Sequence, residues 1–192
     1  MDLTQVKLGF ALTGSFCTFR KVIDEMRHIS NSGVELIPIL SPNSAATDTR
    51  FGKAADFVAE IEDICRKKAI LTIDQAEPIG PKKLLDALLI APCTGNTLGK
   101  MAHGITDTSV TMAAKSTLRN GCPVIIAPST NDALGAAAKN IGFLLNSKNV
   151  YFVPFAQDDP VSKATSMVAK WNMLLPAVDA ALEGRQIQPI IM

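Results

Sequence analysis

Two apolar patterns take turns along the chain. Short, nearly unbroken apolar runs occur at Lys7–Leu12, Val34–Leu40, Leu84–Ala91, Pro123–Ala127 and Val150–Val153, with a briefer one near Ile70–Ile73. Runs of that length, bounded by Gly, Pro, Ser or Asn, predict buried β-strands. Between them the apolar residues recur every three or four positions, which predicts helices. Over 16–31 the positions Phe19, Val22, Ile23, Met26 and Ile29 share one face, with Ser15 as N-cap and Gly33 as stop. Over 54–67 the inner face is Phe57, Ile61 and Ile64, and Arg66-Lys67-Lys68 sit where positive charge complements the helix C-terminus. Stretches 98–103, 110–120, 131–145 and 165–182 read as further helices.

The strands do not alternate apolar with polar, so both faces of the sheet are covered. With strands and helices taking turns, this predicts an α/β chain with a mainly parallel sheet. No repeat or linker divides it, and residues 1–192 read as one domain of ordinary size. The polar segment Ala156–Ser162 reads as a flexible loop. The tail GRQIQPIIM ends apolar and needs a surface to pack on, within the chain or on a neighbouring subunit.

Charge narrows the class of partner. Lys and Arg number 19 against 18 Asp and Glu, a net charge of +1, so neither a nucleic-acid nor a membrane-surface field is implied. No basic segment leads into an apolar stretch at the start, and no run approaches the roughly 20 residues of a membrane helix. The expectation is a cytoplasmic protein. Cys17, Cys65, Cys93 and Cys122 lack CxxC or CxxH spacing, which predicts free thiols and no metal site.

In open α/β sheets ligands bind beyond the carboxyl ends of the strands. Here those ends run into TGSFCT, SPNSA, PCTGNT and PSTND. The loops are rich in hydroxyls, amides and glycine, and none carries a carboxylate pair or a His. Hydroxyls and free N–H groups at helix starts suit a phosphate, and the shortage of negative charge suits an anionic ligand. The same residues are ordinary turn formers and caps, so one loop alone means little. There is no G-x-G-x-x-G after the first strand. GNTLGKM is one residue short of a P-loop and has Met101 at the magnesium-binding position.

Other candidates have plainer readings. His28 and His103 read as helix-surface residues, Cys93 as a packed thiol, and Lys100 as either a phosphate contact or a surface cation. Asp107 reads as a cap for the helix starting at Ser109, and Asp158-Asp159 as a solvated turn.

TGSFCTF, SPNSA, APCTGNTLGKMAHGITDT and APSTNDALG, in this order and spacing, resemble the flavoprotein superfamily of FMN-binding cysteine decarboxylases and flavin prenyltransferases. The resemblance implies a three-layer α/β/α Rossmann-like fold and an FMN site between subunits of a homo-oligomer, a trimer or an assembly of trimers. It implies that Gly14, Ser15 and Phe16 meet the phosphate and ribityl end. Ser41 and Asn43 would line the second loop, and Thr94, Gly95, Asn96 and Thr97 the signature loop. Ser129, Thr130 and Asn131 would lie over the ring. DTRFGKA, AEPIGP and NIGFLLNSKNVYFVPFAQDDP extend the resemblance to subunits that work beside a separate A subunit in spore-forming bacteria. NADP is then expected on that partner, a small dicarboxylate as substrate, and the mother-cell cytoplasm as location.

Departures from the family pattern matter too. DQAEPIGPKKLLDALLIAP holds no His where the decarboxylases have a catalytic one, and Thr130 stands where their late motif has Met. The Arg-Glu pair of the prenyltransferases is missing. No catalytic residue is assigned. A binding or assembly subunit with a vestigial pocket, or an FMN-dependent decarboxylase of another carboxylate, are the alternative readings.

Overall fold

The computed structural model describes residues 3–192. Its spine is a parallel sheet of β2 (Glu35–Leu40), β1 (Lys7–Leu12), β3 (Ala87–Cys93), β4 (Val124–Thr130) and β5 (Val150–Phe152), in that spatial order. The strand order reverses between β1 and β3, so the loops after these two strands diverge and leave a crevice between them.

Strand residues alternate between two apolar layers. Leu8, Phe10 and Leu12 face a layer built on α1 (Phe19–Asn31), α3 (Ala54–Cys65) and α8 (Leu174–Leu182). Ala11, Leu88, Ile90 and Ile126 face the other layer. It is built on α4 (Ile73–Ala76), α5 (Gly95–Ala102), α6 (Ser109–Arg119) and α7 (Ala138–Leu145). The fold is therefore the three-layer α/β/α arrangement, as expected. All five predicted inward residues of α1 are buried, because helical spacing leaves them no other face.

Several boundaries differ from the sequence reading, each for a local reason. Helix α3 stops at Cys65 because Arg66 turns left-handed at φ 53°. Ile70 makes only a single bridge, to Ile39, and the short strand expected at 70–73 gives way to α4. SPNSA contains α2 (Pro42–Ala46), capped by Ser41, with the pre-set φ of proline suiting the first turn. Residues 131–137 are turns, so α7 begins only at Ala138.

The largest difference lies near the end. The predicted helix over 165–182 and flexible loop from Ala156 are in fact a β-hairpin, β6 (Phe155–Gln157) and β7 (Met167–Ala169), followed by a shorter helix α8. Three-residue strands carry too little periodicity to be distinguished from the adjoining helix. Strand β7 runs antiparallel to the last two residues of β4, pairing Val168 with Ser129 and Met167 with Thr130. The apolar tail docks on the same hairpin within the chain. Phe155 N–H donates to Ile190 C=O at 3.0 Å, and Met192 N–H to Phe155 C=O at 3.1 Å.

Candidate functional site

The loop after β1 begins at Thr13, whose hydroxyl donates to Pro92 C=O at 2.8 Å and accepts from Thr94 N–H at 2.9 Å. One buried side chain thus ties the ends of β1 and β3 together. Across the end of β3, the Ser15 and Ser129 hydroxyls meet at 2.8 Å. Ser15 therefore spends its side chain on the sheet edge and makes no capping bond to the helix that follows.

Thr94 caps α5. Its hydroxyl accepts from Thr97 N–H at 3.4 Å, and its carbonyl accepts from Leu98 N–H at 2.9 Å. The Gly95 and Asn96 amides belong to the first turn, where no intrahelical carbonyl accepts from them, at the positive end of the helix dipole. Gly95 is there for space. A Cβ on it would lie 2.7 Å from both Asp132 Oδ1 and Thr130 Oγ1. These two atoms are themselves bonded, with the Thr130 hydroxyl donating to the carboxylate.

These ends surround a cavity of about 810 Å³, within the range of roughly 300–1,000 Å³ usual for small-molecule sites. Gly14, Ser15, Phe16, Thr94, Gly95, Asn96, Ser129, Thr130 and Asn131 all line it. The other three predicted residues do not line it. Thr97 is buried with its hydroxyl 3.2 Å from that of Thr94. Ser41 is buried and bonded to the Ser44 hydroxyl at 2.8 Å. Asn43 is exposed beside the Gly14 turn. A smaller apolar recess of about 300 Å³ lies between α5, α6 and α7, away from the strand ends.

The structure adds residues that the loop reading missed. Cys17 and Thr18 follow the β1 loop, Arg50 and Phe51 reach in from the turn before α3, and Asp158, Lys163, Ser166 and Val168 come from the β6–β7 hairpin. Asp132, in the PSTND loop itself, places a carboxylate in a site that the sequence argument treated as favouring an anion. Lys163 balances Asp158 at 3.4 Å. The Ser166 hydroxyl, with Lys163 adding to it, holds the Asp158 carboxyl below its ordinary range. Asp132 has no cation partner among the described residues.

The other candidates lie elsewhere. Lys100 pairs with Asp107 at 2.8 Å outside the cavity, and Thr108, not Asp107, caps α6. His103 closes α5, its Nδ1 2.8 Å from Gly99 C=O, and exposed His28 lies 3.9 Å from Glu25. Cys93 is fully buried, and burial pushes its thiol well up, so it is packing, not a nucleophile.

Crevice position, strand order and loop chemistry are those of a nucleotide-type site without a dinucleotide fingerprint. A family profile described as Flavoprotein matches residues 1–183. The chain belongs to the flavoprotein family. Its relatives include the dipicolinate synthase B subunit of Bacillus subtilis (strain 168), 46% identical over 97% of this chain and 93% of the relative. The crystal structure of the dipicolinate synthase B subunit from Bacillus halodurans C superposes with a TM-score of 0.92 at 42% identity, covering 100% of this chain and 98% of that one. A dodecameric FMN-dependent UbiX-like decarboxylase from Escherichia coli O157:H7 matches at a TM-score of 0.61 and 19% identity, over 77% of this chain and 79% of that one, which shows a shared fold. The candidate cavity lies at the ends of β1, β3 and β4, and no His lines it among the described residues. No helix among those residues is long and apolar enough to cross a membrane.

Proposed function

We propose that this flavoprotein is the B subunit of a dipicolinate synthase and that its crevice holds FMN. In this reading it acts with an A subunit carrying NADP to oxidise a dihydrodipicolinate-type precursor to dipicolinate. The observation that carries the proposal is whole-chain similarity, 46% identity over 97% of the chain, to a B subunit of that name. The mother-cell cytoplasm and a trimer-based homo-oligomer belong to the same proposal. The dodecameric relative supports assembly by its shared fold.

The residues present fit FMN. The first-turn amides of Gly95 and Asn96 suit a phosphate, which needs several donors converging on it. The missing side chain of Gly95 lets Thr130 and Asp132 close against the start of α5. Thr130 and Asn131 offer a hydroxyl and an amide at the far wall, where a flat ring system needs edge donors and acceptors. Bound FMN supplies an acceptor for two electrons. The protein's own part is positioning, exclusion of water and proton handling. Losing a hydride equivalent to become aromatic, the dihydro ring also releases a proton. This reading assigns that proton to Asp132, a pocket carboxylate without a cation partner among the described residues.

The test begins with the absorption spectrum of the purified chain and FMN titration of any colourless fraction. Saturable uptake, followed by dipicolinate formation only when the A subunit, NADP and the FMN-loaded chain are combined, is the expected result. Full activity from an A subunit alone would sink the proposal. Failure to take up FMN would favour the assembly-subunit alternative.

A further inference from the structure

The turn before α3 brings two residues to the cavity for which the flavin reading has no use. Residues 49–52 form a tight turn. Thr49 N–H donates to Gly52 C=O at 3.0 Å, and Gly52 N–H to Thr49 C=O at 3.1 Å. Phe51 N–H donates to the Thr49 hydroxyl at 3.2 Å, and Ala54 N–H to Asp48 Oδ1 at 2.9 Å. Gly52 has φ +148°, and a Cβ there would meet the Phe57 ring at 2.7 Å, so the turn is also seated against α3. Arg50 and Phe51 are held at its tip, and both line the cavity.

Both are exposed, and they are arranged against each other. Phe51 is 44% exposed, with its ring on the cavity side of the turn's tip. The Arg50 guanidinium stacks over that ring, 4.9 Å from its centroid. It has no carboxylate partner among the described residues. Its face is taken by the ring, so its forked N–H edge stays free. That edge matches a carboxylate in a two-bond, planar geometry. The carboxylates that line the same cavity have other partners, Asp158 with Lys163 and Asp132 with Thr130.

We propose that Arg50 and Phe51 form the substrate subsite of this crevice. Arg50 grips one carboxylate of a small planar ring carboxylate by its forked edge, and Phe51 provides the apolar surface against which the ring lies. The proposal rests on the reading of the crevice as the site of dipicolinate formation, and it names the residues that select the substrate. An inorganic phosphate or the flavin phosphate would use the charge of Arg50 but not the ring beside it. A pyridine dicarboxylate uses both.

The experiment is calorimetric titration of the full chain with dipicolinate, run both with and without saturating FMN, and in parallel a titration with FMN alone. Wild type, Arg50→Gln, Arg50→Lys and Phe51→Ala are compared, with circular dichroism and melting temperature recorded for each. The expected result is saturable dipicolinate binding by wild type, weakened at least tenfold in Arg50→Gln. Arg50→Lys should weaken it by a smaller factor, because it keeps the charge and loses the fork. Phe51→Ala should weaken it several-fold, and FMN affinity should stay within twofold throughout. Equal dipicolinate affinity in wild type and Arg50→Gln overturns the subsite. So does a loss of FMN affinity in Arg50→Gln that equals the loss for dipicolinate, which would make Arg50 a flavin-phosphate residue. Wild type that takes up FMN but no dipicolinate overturns the subsite and leaves the flavin reading standing. Arg50-dependent dipicolinate binding without FMN uptake supports the subsite and rejects the flavin.

Discussion

Gly95→Ala tests the candidate site most sharply, because helix propensity and site geometry pull in opposite directions. Gly95 opens α5, and no left-handed backbone angle reserves the position for glycine. By propensity alone, alanine should stabilise the helix by up to about 1 kcal/mol. Geometry opposes this. The new methyl would lie 2.7 Å from two oxygens where ordinary contact begins near 3.4 Å, so Thr130 Oγ1 and Asp132 Oδ1 must each retreat by about 0.7 Å. Thr130 is β-branched and sits at the end of β4, held by pairing to Met167, so it cannot swing aside freely. The hydrogen bond between Thr130 and Asp132 is the simplest thing to give way. A bond to a charged group contributes roughly 1.5–3 kcal/mol. After the propensity gain, a net loss of about 0.5–2 kcal/mol in stability remains.

Ligand affinity should suffer more than the fold, because the displaced atoms line the cavity. A distortion of about 1.4–3 kcal/mol corresponds to a weakening of FMN binding by roughly ten- to 150-fold. Quenching of flavin fluorescence measures the affinity, and thermal unfolding without ligand measures the stability. Gly142→Ala is the control. It lies inside α7, where a Cβ would meet nothing within 4 Å, so it should raise stability by about 0.5–1 kcal/mol and leave FMN affinity alone. Wild-type affinity in Gly95→Ala, with a melting temperature raised as much as in the control, would refute the steric argument and the placement of the ligand against Gly95.

The other predictions use the same cavity and core. Asp132→Asn should lower kcat of the two-subunit reaction by about 100-fold or more, the scale of a lost proton acceptor, and leave FMN affinity within a few-fold; unchanged kcat in steady-state assays would remove Asp132 from proton handling. Thr97→Val removes a hydroxyl that lies behind the lining and bonds only to Thr94, so chemical denaturation should show a loss of about 1 kcal/mol with little change in FMN affinity, and a large affinity loss would put Thr97 in the site. A thiol reagent should find Cys17 fast in the native protein, and FMN should protect it because it lines the cavity; Cys65, its thiol pushed up by burial to about 12, and Cys93 should react only on unfolding. Asp158 has a carboxyl held low by Ser166 and then Lys163, so its stabilising contribution is full above the ordinary value of 3.8 and is lost as pH falls through the lowered one; Asp158→Asn should therefore lower the melting temperature slightly at neutral pH and progressively less as the solution is acidified, and an equal loss across the acid range would contradict the sign.

How far the sequence reveals this molecule depends on how many residues repeat one message. Five residues of α1 share a face, and all five are buried, because a helix of that length repeats its pattern over several turns. The parallel strands are equally legible as unbroken apolar runs. Strands β6 and β7 have three residues each, too few for a period, and their chain positions read as loop and helix instead. That miss has consequences for the site. The hairpin pairs with the end of β4, turning Ser129 and Thr130 from loop into strand, and it brings Asp158, Lys163 and Ser166 to the cavity. The loops after β1, β3 and β4 were legible because small polar residues after a buried strand mark a crevice. Nine of the twelve residues expected there line it. Thr97, Ser41 and Asn43 do not, since a hydroxyl or amide near a helix start looks the same whether it faces a ligand or caps a backbone. Arg50 and Phe51 gave no local signal of a site. Charge and aromaticity on a turn read as ordinary surface until the fold shows that the turn is braced on α3 and that the arginine has a ring beneath it and no carboxylate partner among the described residues. The part of the site proposed to hold the flavin is thus written in contiguous motifs, and the part proposed to choose a substrate is assembled from chain positions that only the tertiary structure brings together.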